Sequence, residues 1–187
     1  TVRIRGGQFV MDSASITAKS INGPGGGIDL PNTPSIIAIT ADTVALGNGT
    51  HITADTQGTA PAGDITLNVG NLTTTGGLNR INAHPEDTFN APLAHEVGVL
   101  IASNSTGLNT EAGPGGMITI QGVNGPGSAA KSVSLNDTTL STKVFGGTAD
   151  TTRASIIITA DSVALGTATD PVNVGQKVII EAVSAGA

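Results

Sequence analysis

The sequence predicts an all-β protein that forms a parallel β-helix of about five turns with loop insertions. The first observation is a repeat: residues 39–47 read ITADTVALG and residues 158–166 read ITADSVALG, differing only at Thr43 and Ser162. The second is a series of short apolar strands separated by Gly-rich passages. A chain that winds around one cross-section meets the same environment in each turn, so such near-identical phrases are typical of a solenoid.

The composition supports many short strands. The chain has 187 residues, of which 26 are Gly, 12% are charged and 2% are aromatic. Mean hydropathy is +0.16, which favours a structured chain over a disordered one. Because Ile, Val and Thr suit strands and Gly suits sharp turns, this composition predicts short strands joined by tight corners. Cysteine is absent, which excludes disulfides and thiolate metal sites.

The charge of the chain argues against two classes of partner. Net charge is −6, and the eight basic residues are scattered from Arg3 to Lys177, whereas nucleic-acid binding needs clustered Lys and Arg. Apolar runs stay shorter than the ~20 residues that a membrane span requires. We therefore expect neither nucleic-acid binding nor membrane insertion.

Alternation within the strands explains how stacking would form a core. In residues 64–69, DITLNV, Ile65, Leu67 and Val69 would face inward and the polar residues between them outward. Strands this short are unstable alone, but pairing with the equivalent strand of the next turn buries a continuous core. We expect Ile16, Ile52, Leu100 and Leu140 to be equivalent, and likewise Ala18, Ala54, Ala102 and Thr142.

The whole chain, residues 1–187, is predicted to be one β-helical segment of a longer protein. Turn lengths are irregular, which indicates loops inserted at one corner, and the longest insertion is 82–97. A β-sandwich is the alternative fold, because it also contains many short strands.

Several phrases resemble a known family: VRIRGGQFVMDSASITA, GPGGGIDL, ITADTVALGNGTHITADT and GDITLNVGNLTTTGG. They are similar to the repeat region of filamentous-haemagglutinin-like exoproteins, the passengers of two-partner secretion systems, best over 1–75 and 100–166. The resemblance implies a right-handed parallel β-helix, export through an outer-membrane transporter, and a secreted or cell-surface location. It also implies roles in adhesion and aggregation. The secretion domain typical of that family has no counterpart here, so the chain resembles the shaft.

The insertion at 82–97 departs from the regular turns and concentrates unusual chemistry. A loop on a rigid scaffold is a common place for a binding surface, so we expect a partner-binding loop there. His and carboxylate groups also suit Zn or Mn, but their spacing matches no ligand motif, and a solvated polar loop is favoured over a metal site. The residues concerned are His84, Glu86, Asp87, His95 and Glu96 in the insertion, and Arg80 just before it.

A polysaccharide-binding or polysaccharide-cleaving β-helix is the alternative function. Cleavage would need paired carboxylates, and Asp42 and Asp161 occupy the same place in the two ITAD phrases, with Asp55 in a third. An Asp that repeats after a strand more often caps a turn, and glycan sites tend to use aromatic platforms that three Phe can scarcely supply. We therefore assign no catalytic residue, cofactor or metal.

The function expected from the sequence is a structural and adhesive extracellular shaft that mediates adhesion, aggregation or filament assembly. Its expected partners are other cell-surface proteins or glycans, the outer-membrane transporter during secretion, and copies of itself. In a longer protein further turns would cover the open ends of the β-helix. If the chain is instead a complete protomer, copies of it would associate head to tail, because the open ends expose unpaired strand edges.

Overall fold

The computed structural model of the chain is all-β, and it describes residues 1–21, 34–75, 98–106, 112–145, 155–166 and 178–181. In chain order the strands are β1 Val2–Met11, β2 Ser15–Thr17, β3 Ser20–Ile21, β4 Ile36–Leu46, β5 His51–Thr53, β6 Thr56–Gln57, β7 Asp64–Thr74, β8 Val99–Ala102, β9 Ser105–Thr106, β10 Met117–Gly122, β11 Ser132–Leu135, β12 Thr138–Ser141, β13 Val144–Phe145, β14 Ser155–Ile158, β15 Val163–Leu165 and β16 Val178–Glu181.

Every strand pair in the described residues is parallel. A β-sandwich of the immunoglobulin type is built from antiparallel strands, so the parallel pairing argues against that alternative. No helix occurs within the described ranges.

The strands form three sheets, and the chain visits them in a constant order. The first sheet runs β1-β4-β7-β10-β14. Two shorter strands also belong to it, because β11 pairs with the second half of β7 and β15 pairs with β11. The second sheet runs β2-β5-β8-β12-β16 and the third β3-β6-β9-β13. We call β1–β3, β4–β6, β7–β9, β10–β13 and β14–β16 the five strand sets. Each set adds its strands beside those of the preceding set.

The two near-identical nonapeptides occupy the same positions across the first sheet. Ile39 pairs with Leu67, Leu67 with Ile120, and Ile120 with Ile158. Further along the strands, Val44 connects to Val163 through Leu72 and Val133. The prediction that the two copies are structurally equivalent is confirmed.

Each long strand of the first sheet contains a bend where two successive residues face outward. In β4 the buried side chains are those of Ile37, Ile39 and Ala41, and then Val44 and Leu46, so Asp42 and Thr43 both face outward. The ladder of paired residues skips Asp42 at this point. Strand β7 bends at the equivalent place, after its buried Val69. The bend turns one continuous strand into two faces around the core.

The second sheet corrects the predicted alignment by one residue. Ile52 pairs with Ile101, and Ile101 with Leu140, while Leu100 pairs with His51. Ile101 is fully buried, and Leu100 lies on the other side of the strand. The prediction that Ala102 is equivalent to Ala54 is wrong for the same reason, because Ala102 pairs with Thr53. A shift of one residue exchanges the two faces of a strand, and the run VLIA offers apolar residues to both.

The core consists of aliphatic rows that run across the strand sets. The side chains contributed by the middle sets are the most deeply enclosed, while Val2, Ile4, Phe9 and Ile156 at the two ends are only partly buried. The largest fully buried side chains are Ile37, Ile39, Leu46, Ile52, Ile65, Leu67, Leu72, Ile101, Ile118, Ile120, Leu135 and Leu140.

Polar side chains close the corner between the first and second sheets. The hydroxyls of Thr74 and Thr138 are hydrogen-bonded at 2.5 Å, and Thr74 Oγ1 also accepts the N–H of Asn136 at 2.7 Å. Asp137 has a left-handed backbone with φ of 46°. A Cβ on Gly98 would lie 2.1 Å from the carbonyl oxygen of Asp137, so glycine is required where these two segments cross.

The prediction that loops are inserted at one corner is wrong, because the connections between the described strands differ in length at three places. The first place is the connection from a strand of the third sheet to the next strand of the first sheet. The second is the connection from the first sheet to the second sheet, and the third is the connection between β10 and β11 within the first sheet. The predicted insertion at 82–97 falls between β7 and β8 and lies outside the described residues.

Candidate functional site: the polar bend of the first sheet

The outward bends of the first sheet line up as one row across the strand sets. Backbone hydrogen bonds from Lys131 N to Gly70 O and from Asp161 N to Ala130 O fix the alignment in the last three sets. We call this row the bend row, and its members are Gly7, Asp42, Gly70, Lys131 and Asp161. Asp42, Lys131 and Asp161 are exposed.

A row of hydrogen-bonded polar side chains flanks the bend row on its N-terminal side. Asn68 Nδ2 donates to Thr40 Oγ1 at 3.2 Å, and Gln121 Nε2 donates to Asn68 Oδ1 at 2.8 Å. Arg5 begins the same row on β1, because it pairs with Thr40. The hydrogen bonds hold the amide groups in one orientation, so this polar surface is ordered before any ligand arrives.

A second polar pair flanks the other side of the bend. Ser132 Oγ donates to Asn71 Oδ1 at 3.0 Å. Between the two flanking rows lies Gly70, where a Cβ would be 2.5 Å from the carbonyl oxygen of Asp42. Because only glycine fits there, the outward surface carries no side chain between Asn68 and Asn71. We define Thr40, Asn68, Gln121, Asn71, Ser132 and the bend row as the polar bend.

The connection from β10 to β11 is an ordered loop beside the polar bend. Gly122 N donates to Ser128 O at 2.8 Å, and Ser128 Oγ donates to Gly125 O at 2.6 Å. Gly125 and Gly127 have φ of 85° and 84°, values that L-residues rarely adopt. Gln121, which directly precedes this loop, is only 9% exposed although it belongs to the outward row.

The candidate carboxylates do not form a pair. Asp42 and Asp161 share the bend row, but Gly70 and Lys131 lie between them, which places them three strand spacings or about 14 Å apart. The carboxylates of a glycosidase are separated by about 5–9.5 Å. The bend can therefore present hydrogen-bonding groups and isolated charges, but these two groups cannot act together as acid and base.

Asp55 has a structural role in a different row. Its Oδ1 accepts the backbone N–H of Asn104 at 2.7 Å. Asn104 repeats the arrangement one set later, since its Oδ1 accepts from Lys143 N at 2.8 Å and from Ser141 Oγ at 2.7 Å. This ladder caps the corner between the second and third sheets, which agrees with the expectation that Asp after a strand caps a turn.

The predicted partner-binding loop cannot be placed. Arg80, His84, Glu86, Asp87, His95 and Glu96 all lie outside the described residues. Among the residues that are described, no three His or acidic side chains are grouped as metal ligands would be. The same part of the chain contains no helix long and apolar enough to cross a membrane.

The polar bend was only partly visible in the sequence. The repeated ITAD phrase pointed to Asp42 and Asp161, but the amide row did not stand out, because Asn68 and Gln121 come from phrases that differ. Gly70, in NVGNL, was the one available signal of a close backbone approach.

Protein-family models, curated proteins and solved structures were all compared with this chain, and none of them matches it.

Proposed function

We propose that the chain is a right-handed parallel β-helix segment and that it serves as an extracellular shaft for adhesion, aggregation or filament assembly. The observation that carries this proposal is the constant order in which the chain visits three parallel sheets, with each strand set in register with the one before. Winding around a shared core is the simplest path that produces this order.

The extracellular role rests on the resemblance to filamentous-haemagglutinin-like exoproteins. Low charge, absent cysteine and a surface of Thr, Asn and Ser suit a rigid shaft that is exported and then presents polar surface. A gene for an outer-membrane transporter beside the gene for this chain would support the secretion part of the proposal.

The polar bend is the described surface best suited to contact a partner. Its amide and hydroxyl groups are oriented by hydrogen bonds, and Gly70 leaves room between them. Such groups bind the hydroxyls of a glycan or the backbone of a protein segment, which are the two partner classes expected of an adhesive shaft.

An adhesion assay tests the proposal. Beads that carry the folded chain should bind to cells or to a glycan-coated surface, and free chain in solution should compete. The Asn71→Lys variant, which places a long charged side chain beside Gly70, should reduce binding. The matched control Gln57→Lys, in the third sheet, should bind as the unaltered chain does. Equal binding by beads coated with an unrelated protein would refute the adhesive role.

Polysaccharide cleavage remains the alternative, and it has a separate test. Incubation with a panel of acidic and neutral glycans, followed by measurement of reducing-end release, should show no turnover if the chain is a shaft. Sustained release by the folded chain that is lost when the chain is unfolded would favour the enzymatic alternative.

A further inference from the structure

We propose that Asn124, in the loop between β10 and β11, is a site of spontaneous deamidation, where the folded chain converts an asparagine to aspartate and isoaspartate without an enzyme. The proposal concerns the chemistry of this loop and does not depend on the adhesive role proposed above.

An asparagine followed by a glycine has the sequence in which this reaction is easiest. The backbone nitrogen of the glycine loses its proton and attacks Cγ of the asparagine, so that a C–N bond forms, the Cγ–Nδ2 bond breaks and ammonia leaves. Water then opens the succinimide ring at either carbonyl, which gives aspartate or isoaspartate. Glycine favours the attack because it has no Cβ to crowd the nitrogen. The described residues contain two such pairs, Asn48–Gly49 and Asn124–Gly125.

The glycines of the two pairs have the same kind of backbone conformation. Gly49 has φ of 69° and Gly125 has φ of 85°, both in the left-handed region. A difference in reactivity between the two asparagines must therefore come from what surrounds each pair.

Asn48 is held between strand sets on both sides. Its carbonyl oxygen accepts hydrogen bonds from Ser13 N at 2.9 Å and from Ser13 Oγ at 3.2 Å, and its Oδ1 is buried. The N–H of Gly49 donates to the carbonyl oxygen of Gly98, directly before β8, at 3.0 Å. The attack breaks this last bond, because the nitrogen of a succinimide carries no hydrogen. Reaction at Asn48 therefore requires neighbouring strand sets to separate.

The loop around Asn124 closes on itself. Asn124 is exposed, and Gly125 N donates to Gly122 O at 2.9 Å. The bonds from Ser128 N and Ser128 Oγ to Gly125 O also lie within residues 122–128. The same attack at Asn124 breaks a bond inside one loop and leaves the pairing of β10 and β11 with other strands intact. Because loops open at a much lower free energy than paired strands, Asn124 should be the more reactive of the two.

The conversion changes the surface beside the polar bend. Each event replaces a neutral amide by a carboxylate, so the net charge of −6 becomes one unit more negative. Isoaspartate also inserts the side-chain methylene into the main chain of the loop that directly follows Gln121.

Ageing of the folded chain tests the proposal. The purified chain is kept in mildly alkaline buffer, which favours the deprotonated nitrogen, and circular dichroism checks that it stays folded. Samples taken over several weeks are digested, and mass spectrometry locates each converted asparagine against a sample that was not aged. Asn124 should convert at least about ten times faster than Asn48.

The unfolded chain is the matched control for the effect of structure. In guanidinium chloride the difference should vanish or reverse, because the β-branched Val123 precedes Asn124 whereas Gly47 precedes Asn48. Asn124→Gln is the control for the site, since glutamine would have to form a glutarimide ring and reacts far more slowly. Its peptide should show no product at this position.

Three outcomes would overturn the proposal. Conversion of Asn48 as fast as that of Asn124 in the folded chain would show that the strand sets do not protect it. A lead of Asn124 that persists in guanidinium chloride would show that local sequence determines the rates. Product that persists in the peptide of Asn124→Gln would place the reaction at another residue.

Discussion

The two copies of the nonapeptide allow one substitution to be made twice in almost the same sequence but in different surroundings. Leu46 ends the first copy and is fully buried, with Met11 and Thr74 as its neighbours on the two sides. Leu165 ends the second copy, is 54% exposed and pairs only with Leu135 in the described residues. The costs of Leu46→Ala and Leu165→Ala in unfolding free energy therefore show the effect of the tertiary surroundings while the local sequence stays almost the same.

The expected free-energy costs follow from this difference in burial. Removing a fully buried leucine side chain costs the transfer free energy of its methylenes and leaves a cavity, about 2–5 kcal/mol in total. The transfer part alone is about 2 kcal/mol, and roughly half of the Leu165 surface is already in water, so its loss is about 1 kcal/mol with no closed cavity. We expect Leu46→Ala to destabilise the protein by at least twice as much as Leu165→Ala.

Urea unfolding followed by circular dichroism measures both costs by linear extrapolation. Samples should be dilute enough for sedimentation to show a monomer, so that association does not add to the stability of the unaltered chain. Equal costs for the two variants would refute the reasoning, because local sequence and not the enclosing strand sets would then determine the stability at this position.

Three other substitutions test the corners, each by thermal unfolding. Gly98→Ala should cost about 3 kcal/mol, since the new Cβ would meet a backbone carbonyl that cannot move aside. The control Gly6→Ala should be nearly neutral, because the nearest neighbour of its new Cβ would be 3.6 Å away. Thr74→Val should cost about 1–3 kcal/mol because it removes the acceptor of the partly buried N–H of Asn136, while the exposed control Thr73→Val should change little. Asn104→Ala should cost about 1–3 kcal/mol, because the backbone N–H of Lys143 and the hydroxyl of Ser141 lose the oxygen that accepts their hydrogen bonds, whereas the exposed control Thr106→Ala should change little; equal losses for these two variants would mean that the ladder does not stabilise the corner.

The sequence alone determined the parts of the fold that depend on local pattern. Alternation in DITLNV specifies which side of β7 is buried, and the repeated ITADxVALG specifies that residues 39 and 158 occupy equivalent positions. Both follow from the geometry of a strand, in which neighbouring side chains point to opposite faces, and from the demand that paired strands bury the same face.

The tertiary structure decided what depends on contacts between distant segments. VLIA could bury Leu100 or Ile101, and pairing with β5 and β12 selects Ile101. Asp42 and Asp161 share a row, yet only the number of strands between them shows that they are too far apart to act together. The amide row formed by Asn68 and Gln121 likewise exists only once separate strands lie side by side, because no local pattern records which residues of other strand sets will be neighbours.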